Sequence, residues 1–297
     1  MVDRQAIAPV TLGTTVLGKR DGANAALADA LLASPFQQID TANVYAAGQS
    51  ESLIGGAIRR SGGLAPGKVV FTKVDPDPDT GVFDGDRVRR SFEESISRLG
   101  LERLPLLHLH DPYGITIKEA FAPGGAVPAL QSLRDEGLID AIGIAAGTRA
   151  LVEDYVATGA FDAVLTHNRY TLVDRSAGRI LDLAAERNMV VFNAAPFGGG
   201  ILAGSTSRGQ TYGYRDASNE LLNFIAAVHR LCADHSVDVA AAALAFSLKE
   251  PRIHSTVVGV YSIRRLQELP GLVNSVIPDA FWDDLKQLGT PPASPND

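Results

Sequence analysis

The feature that most constrains this chain is an alternation, sustained from end to end, between short apolar runs and longer amphipathic ones. The short runs are PVTLGTT, FQQIDTA, KVVFTKV, LPLLHLHD, DAIGIAA, DAVLTHNR, MVVFNAAPF and STVVGVY. Helical patterns such as SESLIGGAIRRS, GDRVRRSFEESISRLG, RALVEDYVATG and NELLNFIAAVHRLCADHS lie between them. Strands that alternate with helices cannot pair as hairpins, so the sheet is parallel, and eight such units predict closure into an α/β fold of the (β/α)₈ TIM barrel type. The 297 residues suit one such domain over 1–297, with PDAFWDDLKQL as an additional C-terminal helix on its outside. An open doubly wound sheet would want G-x-G-x-x-G after the first strand, and GTTVLGKRDG lacks it.

Composition narrows the partners. A 45% apolar and 21% charged chain is ordinary for a globular protein, and a net charge of −7 without a basic cluster argues against nucleic acid. No apolar run reaches the roughly 18 residues of a membrane span, and MVDRQAIAPV does not follow a leader pattern, so a cytoplasmic protein is expected. The single cysteine, Cys232, fits a reducing compartment and reads as a packed thiol.

In a barrel of this kind chemistry sits at the C-terminal ends of the strands, and alternation fixes which residues face inward. Asp40 shares a face with Gln38, Lys73 with Phe71, and His110 with His108. Three consecutive strands therefore each end on an inward polar residue, and Tyr45 follows on the loop after the first of them. A phenol holds its proton at neutral pH, but a nearby ammonium favours phenolate, and a carboxylate keeps that ammonium charged and placed. Lys73 and Asp40 are expected to tune Tyr45 downward into a working acid-base group, with His110 bonding the reacting oxygen. Proton transfer of this kind pairs naturally with hydride transfer. The deeper His108 reads as a hydrogen-bonded core histidine.

Taken together, IDTANVYAAGQSE, KVVFTK and LLHLHDP resemble the signature stretches of the aldo-keto reductase family, which carry D-T-A-x-x-Y-G-x-S-E, a lysine strand and a histidine strand. The resemblance implies an NAD(P)-dependent oxidoreductase on a (β/α)₈ barrel, with Tyr45 as proton donor or acceptor, Lys73 and Asp40 tuning it, and His110 orienting a small-molecule substrate. NRYTLVDRSA, VVFNAAPFGGGILAG and the Tyr-x-Tyr of QTYGYRDAS resemble the branch of D-threo-aldose 1-dehydrogenase, L-fucose or L-galactose dehydrogenase and pyridoxal 4-dehydrogenase. That branch implies oxidation of a cyclic hemiacetal to a lactone.

The same resemblance implies cofactor contacts at Gly13, Thr14, Thr15 and Asp40, along Pro196, Phe197, Gly198, Gly200 and Leu202, and at Arg265 and Glu268. The family's Ser-Asn pair after strand five is replaced here by Ala145 and Ala146, which makes Asn168 the candidate for holding the nicotinamide carboxamide. Its stacking aromatic is replaced by Ala194. GVYSIRRLQE lacks the Lys-Ser that commonly grips a 2′-phosphate, so NAD is favoured over NADP.

Other readings remain open at this level: an NADPH-dependent aldehyde or ketone reductase, a nicotinamide-binding sensor or partner subunit, and a barrel metal hydrolase built on the H-L-H spacing. No metal-ligand set completes the last, and no metal is expected. The stretch AGSTSRGQTYGYRDASNE, with Tyr212 and Tyr214, is expected to close over the site. The acidic run DPDPDTGVFDGD reads as a solvated loop.

Overall fold

Each of the eight apolar runs becomes a strand, because a parallel sheet covered by helices must be apolar on both faces. The protein was analysed as a computed structural model, which describes residues 4–19, 24–203 and 210–296. In chain order the elements begin β1 (Val10–Gly13), α1 (Asn24–Ala33), β2 (Gln38–Asp40), α2 (Gln49–Arg60), β3 (Val69–Val74), α3 (Gly85–Leu99) and β4 (Leu107–His110). They continue α4 (Ile117–Phe121), α5 (Ala126–Asp135), β5 (Ile142–Ala146), α6 (Arg149–Ala157), β6 (Ala163–His167), α7 (Gly178–Glu186) and β7 (Val190–Ala194). A short antiparallel pair, β8 (Thr211–Tyr212) and β9 (Arg215–Asp216), precedes α8 (Asn219–Asp234), α9 (Val239–Leu248), β10 (Ser255–Gly259), α10 (Ile263–Val273) and α11 (Asp279–Gln287). Neither α4 nor the β8-β9 pair was expected from the sequence pattern.

The barrel runs β1 to β7 in order and closes through β10, which pairs in parallel with both β7 and β1. The fold is thus the expected (β/α)₈ barrel with α11 as the extra C-terminal helix. Strand alternation separates two layers of core. Ile39, Val70, Val74, Leu107 and Leu109 face the helices, while Phe71, Leu165, Phe192 and Val257 fill the interior and floor the mouth. His108 lies among them, 5.9 Å from the ring of Phe192. It fits because its neighbour on β5 is Gly143, where a Cβ would come within 2.1 Å of the His108 ring. Burial holds the His108 imidazole well below its ordinary range, so it is neutral, and its Nδ1 has no hydrogen-bond partner among the described residues. The expected core histidine is present, though not fully bonded.

The C-terminal half carries a second apolar cluster, in which Leu202, Tyr212, Leu221, Ile225 and Phe281 meet. Among the described residues no single helix is long and apolar enough to cross a membrane; α8 and α9 meet that test only as a pair bent by 102°.

Beneath the mouth, Glu51 on α2 is fully buried. It accepts a hydrogen bond from Thr72 Oγ1 at 2.6 Å and pairs with Arg98 Nη1 at 3.1 Å, which ties α2 to β3 and α3. Glu51→Ala leaves the buried Thr72 hydroxyl without its acceptor and takes from Arg98 its buried carboxylate partner, leaving it the Asn43 carbonyl and Glu94. We expect it to cost about 3 kcal/mol in urea unfolding; a loss below about 1 kcal/mol would show that the pair does not hold these elements together.

Candidate active site

The loop after β2 is fixed by the residues that surround Tyr45. Thr41 N–H donates to Phe71 O (2.9 Å) and Asn43 N–H to Lys73 O (3.2 Å), so the chain continues alongside β3 past the end of β2. It then turns through Ala46, Ala47 and Gly48, all at positive φ (52°, 52° and 83°). Ser50 bonds Thr41 Oγ1 at 3.0 Å and Thr14 Oγ1 at 2.9 Å, locking the turn to the end of β1. The Ser50-Glu51 dipeptide of the signature is therefore the anchor of the loop that presents Tyr45.

At the centre, Lys73 Nζ donates to Asp40 Oδ1 (2.8 Å), Asp40 Oδ2 (2.7 Å) and the Thr41 carbonyl (2.6 Å). The ammonium lies 4.8 Å from the centroid of the Tyr45 ring. Burial alone would lower the Lys73 pKa, but Asp40 and Tyr45 together more than reverse this, so the amine is held charged. For Tyr45 burial is also the largest influence and acts the other way. It raises the phenol, Lys73 pulls it down, Asp40 pushes it back, and the result is about 12. Lys73 acts in the direction expected from the sequence, but the net direction is upward: desolvation exceeds the attraction of the ammonium, which Asp40 offsets in part.

His110 points into the same mouth, its ring 5.8 Å from that of Tyr45. Its Nδ1 lies 2.6 Å from Asp75 Oδ1, and the other Asp75 oxygen accepts the Val44 N–H at 3.0 Å. Burial lowers the imidazole pKa, but Asp75, and to a smaller degree Asp111, raise it beyond that loss, and the net shift is upward. Asp75 opens the acidic run read above as solvated, yet it is 3% exposed. That reading holds for the exposed stretch from Pro78 to Val82 and is corrected at Asp75, whose main chain is clamped to α3 by Ser91 Oγ (3.1 Å) and Arg87 Nε (2.9 Å). Its place two residues after Lys73 carried the signal, since it keeps the inward phase of β3.

Asp40, Tyr45 and His110 border a cavity of about 530 Å³, with Lys73 buried against Asp40; Gly13, Ala145, Leu165, Ala194, Val257 and Gly259 form an apolar side, and Asp111, Tyr113, His167 and Tyr214 stand on the rest of the rim. A Cβ at Gly259 would meet nothing within 4 Å, which leaves open space beside the last strand. A nicotinamide ring fits walls this small, and the α10 N-terminus, capped by Ser262, follows Gly259 on the same rim. Of the residues expected to touch a cofactor, Gly13, Thr15 and Asp40 line the cavity. Thr14 does not; it is buried and bonds the Asp40 carbonyl at 2.9 Å.

Pro196, Phe197, Gly198 and Gly200 form the turn beyond β7, with Gly198 and Gly200 at positive φ. Gly198 has a structural reason to be glycine, because a Cβ there would come within 2.5 Å of the Tyr212 ring. Leu202 is fully buried in the second core cluster, so its side chain is not at the site. Asn168 is buried and does not line the cavity; its Nδ2 faces His167 Nδ1 at 3.3 Å, and it is His167 that reaches the mouth. Arg265 and Glu268 pair with each other at 3.1 Å on α10, and Arg265 Nε also bonds the Tyr261 hydroxyl at 2.8 Å.

Residues 204–209 of the expected closing loop lie outside the described residues. Of its two tyrosines, Tyr212 is fully buried, bonded to Thr171 Oγ1 (2.9 Å) and the Asn168 carbonyl (3.0 Å), and serves as an anchor. Tyr214 is exposed and borders the cavity. Among the described residues no three His, Cys, Asp or Glu side chains group to hold a metal ion.

The barrel and this mouth define a class, and the comparisons agree with it: residues 9–290 match the Aldo/keto reductase family, and the chain belongs to that family. It is an NAD(P)-dependent oxidoreductase. The chain is 31% identical to pyridoxal 4-dehydrogenase of Microbacterium luteolum, over 94% of this chain and 93% of that one. It is 32% identical to D-threo-aldose 1-dehydrogenase of a Pseudomonas species, over 69% of this chain and 62% of that one. Against L-galactose dehydrogenase of Arabidopsis thaliana the figures are 28%, 77% and 71%. Among solved structures, an aldo-keto reductase from Bacillus halodurans in its holo form superposes with a TM-score of 0.81 at 18% identity, covering 97% of this chain and 94% of that one.

The Asp75-His110 contact makes a direct expectation. Asp75→Asn removes the charge that raises the imidazole while keeping its shape, so the His110 titration midpoint, followed by NMR, should move to lower pH. An unmoved midpoint would mean that Asp75 does not set the charge of His110.

Proposed function

We propose that this enzyme oxidises a cyclic hemiacetal, a sugar or pyridoxal, to the corresponding lactone, as one barrel domain spanning residues 1–297. The carrying observation is the meeting of Asp40, Tyr45 and His110 at one cavity, with Lys73 bonded to Asp40 behind it and one side of the cavity built of small apolar residues. The names of the three relatives, each a dehydrogenase, support the direction and the substrate class. In this reading the hydride leaves the anomeric carbon and its hydroxyl proton passes to Tyr45. When bound, the oxidised nicotinamide supplies the hydride acceptor and a positive charge that favours the phenolate. His110 donates from Nε2 to the reacting oxygen, because its Nδ1 is engaged by Asp75. Lys73, kept charged by Asp40, limits the cost of removing the Tyr45 proton.

NAD is the preferred cofactor in this reading. Arg265 is already shared between Glu268 and Tyr261, and a 2′-phosphate would have to compete with a carboxylate for it. Gly13, Thr15, Ala194 and Gly259 would border the nicotinamide, with the Pro196–Gly200 turn and Arg265 toward the phosphates and ribose. A reducing compartment such as the cytoplasm suits the free and buried Cys232. The second reading, reduction of an aldehyde by NADPH, draws on the high acid range of Tyr45, since a phenol near 12 holds the proton that a reductase must donate.

The test is to follow nicotinamide reduction with NAD or NADP and a panel of L-fucose, D-arabinose, L-galactose, D-glucose and pyridoxal. Turnover of at least one hemiacetal is expected, with Tyr45→Phe slower by about 10²–10⁴-fold while reduced cofactor still binds. If Tyr45→Phe turns over normally, the role given to the phenol is wrong. Activity only toward simple aldehydes would select the reductase reading.

The pH dependence has a definite sign. A base whose pKa lies above the assay range is present only as a small deprotonated fraction, which grows about tenfold per pH unit. Provided that proton removal limits the rate, kcat/KM for oxidation should rise from pH 7 to 10, and a flat profile would argue against Tyr45 as the base.

A further inference from the structure

Among the polar groups in the mouth that the reaction just described does not use, Asp111 stands nearest the catalytic imidazole. Asp111 follows His110 at the end of β4, and its N–H is held by the Ala145 carbonyl at 2.9 Å. The residue has a φ of 45°, in the left-handed region that side chains rarely adopt, and it lines the cavity together with Tyr45 and His110. Its Oδ2 lies 3.6 Å from His110 Nε2, too far for a hydrogen bond. Its Oδ1 is buried and has no partner among the described residues. The side chain as a whole is 36% exposed, so the carboxylate reaches the cavity through its other oxygen, Oδ2, beside the imidazole nitrogen left free to face a substrate.

We propose that Asp111 selects the substrate, accepting a hydrogen bond from a hydroxyl on the carbon next to the reacting carbon. The assignment deepens the hemiacetal reading and rests on it. Since Asp75 occupies Nδ1 of His110, only Nε2 faces a substrate, and the reacting oxygen sits there. Hydroxyls on neighbouring carbons lie a hydrogen bond apart, so the next one falls beside Asp111. An ionised carboxylate only accepts, and it therefore favours a donor-rich, neutral, polyhydroxylated hemiacetal. It disfavours carbonyl compounds without a neighbouring hydroxyl, which leave the oxygen unpaired, and anionic ones, which meet like charge. Tyr113, whose hydroxyl accepts the Gly147 N–H at 2.9 Å, borders the same wall and adds a second polar edge.

The experiment compares D-arabinose with 2-deoxy-D-ribose, which differ by that one hydroxyl, in the wild type, Asp111→Asn and Asp111→Ala. In the reducing direction the pair is hydroxyacetaldehyde and acetaldehyde. The readout is the ratio of kcat/KM within each pair, together with calorimetric titration of both sugars into enzyme holding NADH. The wild type should prefer the hydroxylated member by about tenfold or more. The preference should shrink in Asp111→Asn and collapse in Asp111→Ala. A ratio that is absent in the wild type, or that survives in both variants, overturns the assignment, even if absolute rates fall. The isosteric Asn variant keeps the comparison interpretable where the Ala variant folds poorly. The two readings fail separately. Binding preference without oxidation would keep Asp111 and discard the dehydrogenase reading, whereas equal oxidation of both sugars would do the reverse.

Discussion

The site depends on one buried ion pair. Moving an ammonium and a carboxylate out of water costs several kcal/mol for each ion, and only close, well-bonded geometry offsets it. Lys73 and Asp40 meet that demand because both carboxylate oxygens and the Thr41 carbonyl converge on one ammonium. They can do so only in one register. Asp40 pairs with Phe71 across β2 and β3, and Lys73 lies two residues further along the same inward face. A slip of one residue would send Lys73 into the helix layer and leave Asp40 buried alone. Barrel closure, which fixes register on both edges of every strand, is what makes the pair affordable.

That pairing also explains why Tyr45 is a weak acid here. The ammonium that would attract a phenolate is matched by Asp40, and the imidazole across the mouth is matched by Asp75. Lys73 still pulls the phenol down and Asp40 offsets that pull in part, but burial outweighs both. The site is thus set to respond to charge that arrives from outside it. A positive charge brought near the ring would act in a region of low dielectric, where its effect is large.

Much of this was legible in the sequence, because period and position carry different information. Strand phase alone identified Asp40, Lys73 and His110 as inward, since each occupies the last turn of the pleat before a loop. Asp75 was missed because its neighbours, Pro76, Asp77 and Pro78, have the composition of a solvated turn. Phase should have outranked composition there, as the residue continues the Phe71-Lys73 series. The role of Tyr212 was hidden for another reason: its partners, Thr171 and Asn168, lie 41 and 44 residues away, and no local pattern reports them. The Tyr45 shift was misjudged because a tally of neighbouring charges contains no term for water removed.

The mouth is not uniform, and its asymmetry matters for a two-reactant reaction. Glycine, alanine and valine from β1, β5, β7 and β10 form walls that recognise shape and little else. The phenol, the imidazole and the carboxylate of Asp111 stand on the loop after β2 and at the end of β4. A flat, weakly polar ring loses little on the first side, where few polar groups would be stripped of water. A hydroxyl-bearing molecule gains only on the second, where each donor and acceptor has a counterpart. Both sides stand above Phe71 and Phe192, so an apolar floor lies under the whole mouth. The barrel supplies orientation through the chemistry of its walls before any catalytic group acts.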